Sequence, residues 1–71
     1  MKGKTEFVVF CIESIAAYLN RNAADIYRDL SENSQIISTY IIPNFDVLHT
    51  QSKEYIVEDI IGVMREEGLK V

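Results

Sequence analysis

Residues 5–20 read TEFVVFCIESIAAYLN, and this stretch decides the fold class. At 100° per residue, Glu6, Glu13 and Asn20 fall on one narrow stripe of a helix, with Thr5 as its expected N-cap. Apolar residues cover well over half of the circumference: Phe7, Val8, Val9, Cys11, Ile12, Ile15, Tyr18 and Leu19. Surface helices of monomers have narrower apolar faces. We therefore predict that this helix is the central element of the fold or that one of its faces contacts another chain.

Two further segments carry clear helix start and stop signals. Asn22 is predicted to cap a second helix that reaches about Ser31. Ser52 is predicted to cap a final helix that reaches about Glu67, with Gly68 immediately after it. Both segments repeat apolar residues at the helical period, which indicates that one face of each helix packs on a core.

The segment of residues 35–48 is rich in β-branched residues and is compatible with a buried strand. We predict a helix instead, because its apolar residues also share one face at helical spacing and a lone strand would have no pairing partner. Pro43 must kink or divide this helix. The sequence therefore predicts an all-α fold over residues 1–71, a small bundle of about four helices whose third helix is kinked or divided at Pro43.

The composition limits what can stabilise the chain. Its 71 residues form one domain, whose single core typically contributes about 3–5 kcal/mol of net stability. Cys11 is the only cysteine, which excludes a disulfide within the chain, and Cys11 and His49 are too few for a structural zinc site. Cys11 itself is expected in the core. Self-association or a partner protein is the remaining form of reinforcement.

Charge and hydropathy argue against a nucleic-acid-binding protein and against a membrane protein. Eleven acidic and seven basic residues give a net charge of −4, and the Lys and Arg residues are scattered singly, so we expect no nucleic-acid binding. No apolar run is long enough to span a membrane, and the N-terminus lacks the pattern of a signal peptide. We therefore expect a cytoplasmic protein that does not bind membranes.

His49 is the only side chain that ordinarily titrates near neutral pH, so a small hydrolase would use it as a base. Glu58 or Asp59 would orient it, with Thr50 or Tyr55 nearby. The favoured interpretation is structural, with His49 bonding the last carbonyls of the third helix. Tyr55 projects outside the apolar stripe of the final helix, beside Glu58 and Asp59. No catalytic, cofactor-binding or metal-binding residue is predicted.

The stretch of residues 47–60, VLHTQSKEYIVEDI, resembles the small bacterial family catalogued as domain of unknown function 3791, whose members carry an "LHT…YIVEDI" signature. Residues 6–13, EFVVFCIE, are similar to the opening helix of that family. Genes of the family commonly lie beside those of another uncharacterised family, numbered 3990, which looks like a relative of ADP-ribosyltransferases. The resemblance therefore implies an accessory or antitoxin-like partner of an ADP-ribosyltransferase-like enzyme.

The leading hypothesis is a protein-interaction module that self-associates as a homo-oligomer and binds, and thereby restrains, a partner enzyme. Its candidate interaction surface comprises His49, Thr50, Tyr55, Glu58, Asp59, Val8, Val9 and Ile12. A DNA-binding regulator of the helix-turn-helix type is the alternative, although the would-be recognition helix offers Gln35, Ser38 and Thr39 but no Arg or Lys. A hydrolase that uses His49 is a further alternative.

Overall fold

The computed structural model describes residues 3–71. In chain order, its elements are α1 (Lys4–Leu19), α2 (Ala23–Ser31), a π-helical segment (Ile37–Ile41), α3 (Phe45–Leu48) and α4 (Lys53–Glu66). No strand occurs in that range, so the prediction of an all-α bundle is confirmed.

Helix α1 is the central element, since it packs against both α2 and α4. Phe7, Cys11 and Ile15 on its buried side are at most 1% exposed. Because neighbours cover most of its circumference, the broad apolar surface is largely core. Val9 and Tyr18 are the exceptions among its large apolar residues, at 48% and 62% exposed.

The start of α1 differs from the prediction. The helix begins at Lys4, with Gly3 in the N-cap position and no side-chain hydrogen bond at the cap, so the prediction of Thr5 as the N-cap is wrong. Thr5 itself adopts helical geometry inside the first turn. A cap side chain typically contributes about 1 kcal/mol, and here the helix instead extends two residues further toward the N-terminus, to Lys4.

The other predicted ends are confirmed. The Asn22 side chain accepts a hydrogen bond from the Ala24 N–H at 2.7 Å, and Ser52 accepts one from the Tyr55 N–H at 3.1 Å. After α4, Gly68 has φ +87°, a left-handed conformation that glycine adopts without steric cost. The Leu69 N–H then donates to the Met64 carbonyl at 3.0 Å, which closes the end of the helix.

The third predicted helix is divided at Pro43, as expected. Its first part is wound as a π-helix, in which the Ile42 N–H donates to the carbonyl of Ile37, five residues back, at 3.0 Å. Ile36 and Ile41 are buried at 1% and 0% exposure. A turn through Pro43 then leads into α3. The β-branched run is therefore helical, and burial of these isoleucines holds it against the core.

Candidate interaction surfaces

His49 lies at the end of α3, where the sequence predicted a capping role. Its ring stacks on Phe45, with centroids 4.7 Å apart and planes inclined by 12°. Its Nδ1 lies 2.8 Å from the Phe45 carbonyl oxygen, which can only accept, so Nδ1 carries the hydrogen. Thr50 likewise donates to the Val47 carbonyl, at 2.7 Å. Both side chains thus satisfy carbonyls at the end of the short helix.

A catalytic His49 would need Glu58 or Asp59 to orient it, and neither carboxylate has this role in the structure. Within residues 3–71, neither Glu58 nor Asp59 hydrogen-bonds to His49; the Tyr40 hydroxyl donates a 2.5 Å hydrogen bond to Asp59 instead. This bond ties the π-helical segment to α4. Glu58 is exposed, and Tyr55 is 51% exposed on the same side of α4.

The hydrogen bond to Asp59 raises the pKa of Tyr40 to about 12, and burial of the phenol and the negative charge of Asp59 act in the same direction. The ordinary pKa of the group is 10.0. Since the folded chain holds the proton more tightly than the unfolded chain, the contribution of Tyr40 to stability is fully present below pH 10. It is lost as the pH rises to about 12.

We expect Tyr40→Phe to lower the free energy of unfolding at neutral pH by about 0.5–1.5 kcal/mol, because it removes the bond to Asp59. The difference between this variant and the wild type should shrink as the pH rises above 10. Urea denaturation at several pH values measures both effects. Tyr27→Phe is the control, since the Tyr27 side chain has no hydrogen bond in residues 3–71 and Tyr27 does not contribute to the pKa of Tyr40. A difference that stayed constant to pH 12 would contradict the assignment.

The three candidate residues on α1 have different surroundings. Ile12 is 8% exposed and belongs to the core, so it cannot offer a partner much surface. Val8 is partly buried and lines a groove, whereas Val9 is 48% exposed. Ile12 is therefore a core residue and not part of an interaction surface.

The groove beside Val8 lies between α1, α2 and the π-helical segment and has a volume of about 300 Å³. We call it the uncharged groove, because none of its lining residues carries a charge. Its apolar walls are formed by Val8, Tyr27, Leu30, Ile37 and Ile42. Tyr27 is 51% exposed and Leu30 is fully buried.

Polar residues also line the uncharged groove: Thr5, Ser31, Gln35 and Ser38. Two of them are already engaged with their own backbone. Ser31 donates to the Tyr27 carbonyl at 2.6 Å, and Ser38 donates to the Gln35 carbonyl at 3.2 Å. Because these hydroxyl hydrogens are used locally, an apolar occupant would leave few donors without a partner.

A second concavity was not predicted from the sequence. We call it the Tyr18 pocket; it lies between α1 and α4, has a volume of about 300 Å³ and is lined by Ser14, Ala17, Tyr18, Lys53, Glu54, Val57 and Glu58. Helical periodicity placed Tyr18 on the broad apolar surface of the first helix, and no role was predicted for Ser14. The feature of the sequence that could have indicated this pocket is Ser14, a polar residue within the apolar part of the first helix.

Residues 3–71 offer little support for a nucleophilic, metal-binding or membrane-spanning role. Cys11 is fully buried, and this burial raises its pKa to about 12, so it is a core thiol as predicted and not an activated nucleophile. Residues 3–71 contain no group of three or more His, Cys, Asp or Glu residues that could hold a metal ion. Over the same residues, no helix combines the length and apolarity that a membrane crossing requires.

A family model described as "Protein of unknown function (DUF3791)" matches residues 6–67. No curated protein and no solved structure matches the chain.

Proposed function

The chain belongs to the DUF3791 family of proteins of unknown function, and we propose that it is a protein-interaction module whose uncharged groove binds an apolar helix of a partner protein. The observation that carries this proposal is the groove itself. It offers an apolar wall with no charged residue, on a chain in which a quarter of the residues are charged.

The geometry of the groove favours a helical partner. Its volume of about 300 Å³ accommodates a few side chains, and its walls come from three helical elements that are held by the core. An amphipathic helix inserts apolar side chains into such grooves at one-turn spacing. Tyr27 is well suited as a contact, because tyrosine gives a large apolar area at low cost in conformational entropy.

Charge favours a partner that is more basic than the chain. A second copy of this chain would bring another net charge of −4 to the interface, whereas a helix with basic flanks would be attracted. The ADP-ribosyltransferase-like enzyme implied by the family resemblance is the partner we propose first, with this chain as its accessory or antitoxin-like subunit. Homo-oligomerisation through the same groove is the competing outcome.

Two tyrosines provide a matched test of the surface. Tyr27 in the groove and Tyr55 on α4 are both 51% exposed, so Tyr27→Glu and Tyr55→Glu make the same chemical change at equal exposure. With the co-expressed, purified enzyme, we expect Tyr27→Glu to weaken binding at least about tenfold, since a carboxylate would be desolvated against apolar walls. Tyr55→Glu should change the affinity less than about threefold. Isothermal titration calorimetry measures both.

If Tyr55→Glu weakened binding more than Tyr27→Glu, the interaction surface would lie on α4, and the proposed role of the groove would be wrong. Light scattering after size-exclusion chromatography over a concentration series tests self-association in the same samples. A dimer that Tyr27→Glu dissociates would replace the partner enzyme by a second copy as the occupant. Absence of any complex, together with a monomer at every concentration, would overturn the proposed function.

A further inference from the structure

The Tyr18 pocket is a second concave site and shares no lining residue with the uncharged groove. We propose that it binds the arginine side chain of a protein partner. The proposal depends on the proposed function only in placing the arginine on a protein. Because the two sites are lined by different residues, separate variants can test them.

Ser14 points to a polar ligand in this pocket. The residue is only 7% exposed, lines the pocket, and is the one buried polar residue in the described part of the chain. Its hydroxyl has no hydrogen-bond partner among residues 3–71, although serines inside helices commonly bond to the carbonyl four residues back. No buried side-chain oxygen or nitrogen in the described residues lacks a partner, so the Ser14 oxygen reaches solvent through the pocket, where a ligand atom could replace water as its hydrogen-bond partner.

The rim of the pocket selects for positive charge. Glu54 and Glu58 lie one turn apart on α4, and neither forms an ion pair within residues 3–71. Lys53 on the same rim offsets one of the two carboxylates, so the rim carries a net charge of −1. An anionic ligand is therefore disfavoured.

The walls favour a guanidinium over a compact ammonium group. The Tyr18 ring is 62% exposed and forms one side, and Ala17 and Val57 supply apolar surface for an aliphatic stem. Guanidinium stacks on aromatic rings and offers five donors in a planar fork, which suit two carboxylates and a hydroxyl. The four-atom stem with its planar head thus matches both the apolar wall and the acidic rim.

Binding of N-acetyl-arginine amide to the full chain tests the proposal, with amide chemical shifts in NMR spectra as the readout. We expect saturable shifts at Ser14, Tyr18 and Val57 with a Kd on the order of 1 mM, as befits one side chain. N-acetyl-citrulline amide has nearly the same shape without the charge, and it should bind at least about fivefold more weakly.

Three charge variants of the chain extend the test. Glu58→Gln should weaken the binding of N-acetyl-arginine amide at least about fivefold, whereas Lys53→Gln should strengthen it about twofold. Glu32→Gln removes one negative charge at an exposed position that lines neither the uncharged groove nor the Tyr18 pocket, and it should leave the Kd unchanged. Ser14→Ala should weaken binding about threefold, by loss of one hydrogen bond. Each variant should retain the amide spectrum of the folded chain.

Equal binding of the arginine and citrulline probes, or equal effects of Glu58→Gln and Glu32→Gln, would overturn the site. Absence of shifts at about ten times the expected Kd would do the same. Tyr27→Glu should not affect the arginine probe. Failure of the groove and failure of the pocket are therefore distinguishable in separate measurements.

Discussion

The Ile12→Glu variant is expected to be unfolded at room temperature, whereas Val9→Glu is expected to stay folded. Ile12 is 8% exposed within the core, and Val9, three residues earlier on the same helix, is 48% exposed. An unpaired carboxylate in the core costs several kcal/mol. A single core of this size supplies only about 3–5 kcal/mol of net stability. The cost of the buried carboxylate at position 12 is therefore comparable to the whole free energy of unfolding.

Far-ultraviolet circular dichroism and thermal denaturation of the two variants measure this difference. Because both substitutions add the same charge to the same helix, propensity and net charge are matched. Val9→Glu should change the free energy of unfolding by less than about 1 kcal/mol. If Val9→Glu also unfolded the chain, Val9 would have to be covered in solution, which would indicate self-association through that face of α1.

The sequence predicted the existence of α1 and its breadth of apolar surface, but left open whether a second chain was needed to cover it. That choice depends on how much surface α2, α4 and the π-helical segment cover together. Periodicity reports which residues share a face, and it does not report how closely neighbouring elements approach. The structure places Phe7, Cys11, Ile12 and Ile15 in the core and leaves Val9 and Tyr18 outside it.

The difference between patterns within one element and contacts between elements also explains which parts of the candidate sites were predicted. The roles of Asn22, Ser52 and His49 involve partners within four residues, so local patterns were sufficient to predict them. The Tyr18 pocket combines α1 with the first half of α4, elements that are far apart in sequence. The hydrogen bond between Tyr40 and Asp59 also joins distant segments, and no spacing rule reveals it.

The π-helical winding of Ile37–Ile41 is the part of the fold that was not predicted from the sequence. Proline at position 43 predicted a division of the helix, because proline lacks an N–H and clashes with the preceding turn. It did not predict how the residues before it would be wound. In the structure, Ile36 and Ile41 are both buried, while Ile37 remains part of the uncharged groove. Five-residue spacing brings Ile36 and Ile41 to the same side of a π-helix, which indicates that burial stabilises this winding.

Ile41→Ala should therefore be strongly destabilising, although it replaces a β-branched residue by a better helix former. Ile41 is fully buried, and truncation of such a side chain costs about 2–5 kcal/mol, which is comparable to the whole stability of a domain of this size. Ile37→Ala is the matched control, because Ile37 lies in the same segment but is only partly buried; we expect a loss of about 1 kcal/mol.

Urea denaturation followed by circular dichroism measures the free energy of unfolding of both variants. If propensity rather than burial determined the winding, Ile41→Ala would be neutral or stabilising, and the two variants would behave alike. A large loss at Ile41 with a small loss at Ile37 would show that the π-helical segment is held by its buried isoleucines. Such an anchor would also hold the wall of the uncharged groove in place, since Ile37 and Ser38 belong to the same segment.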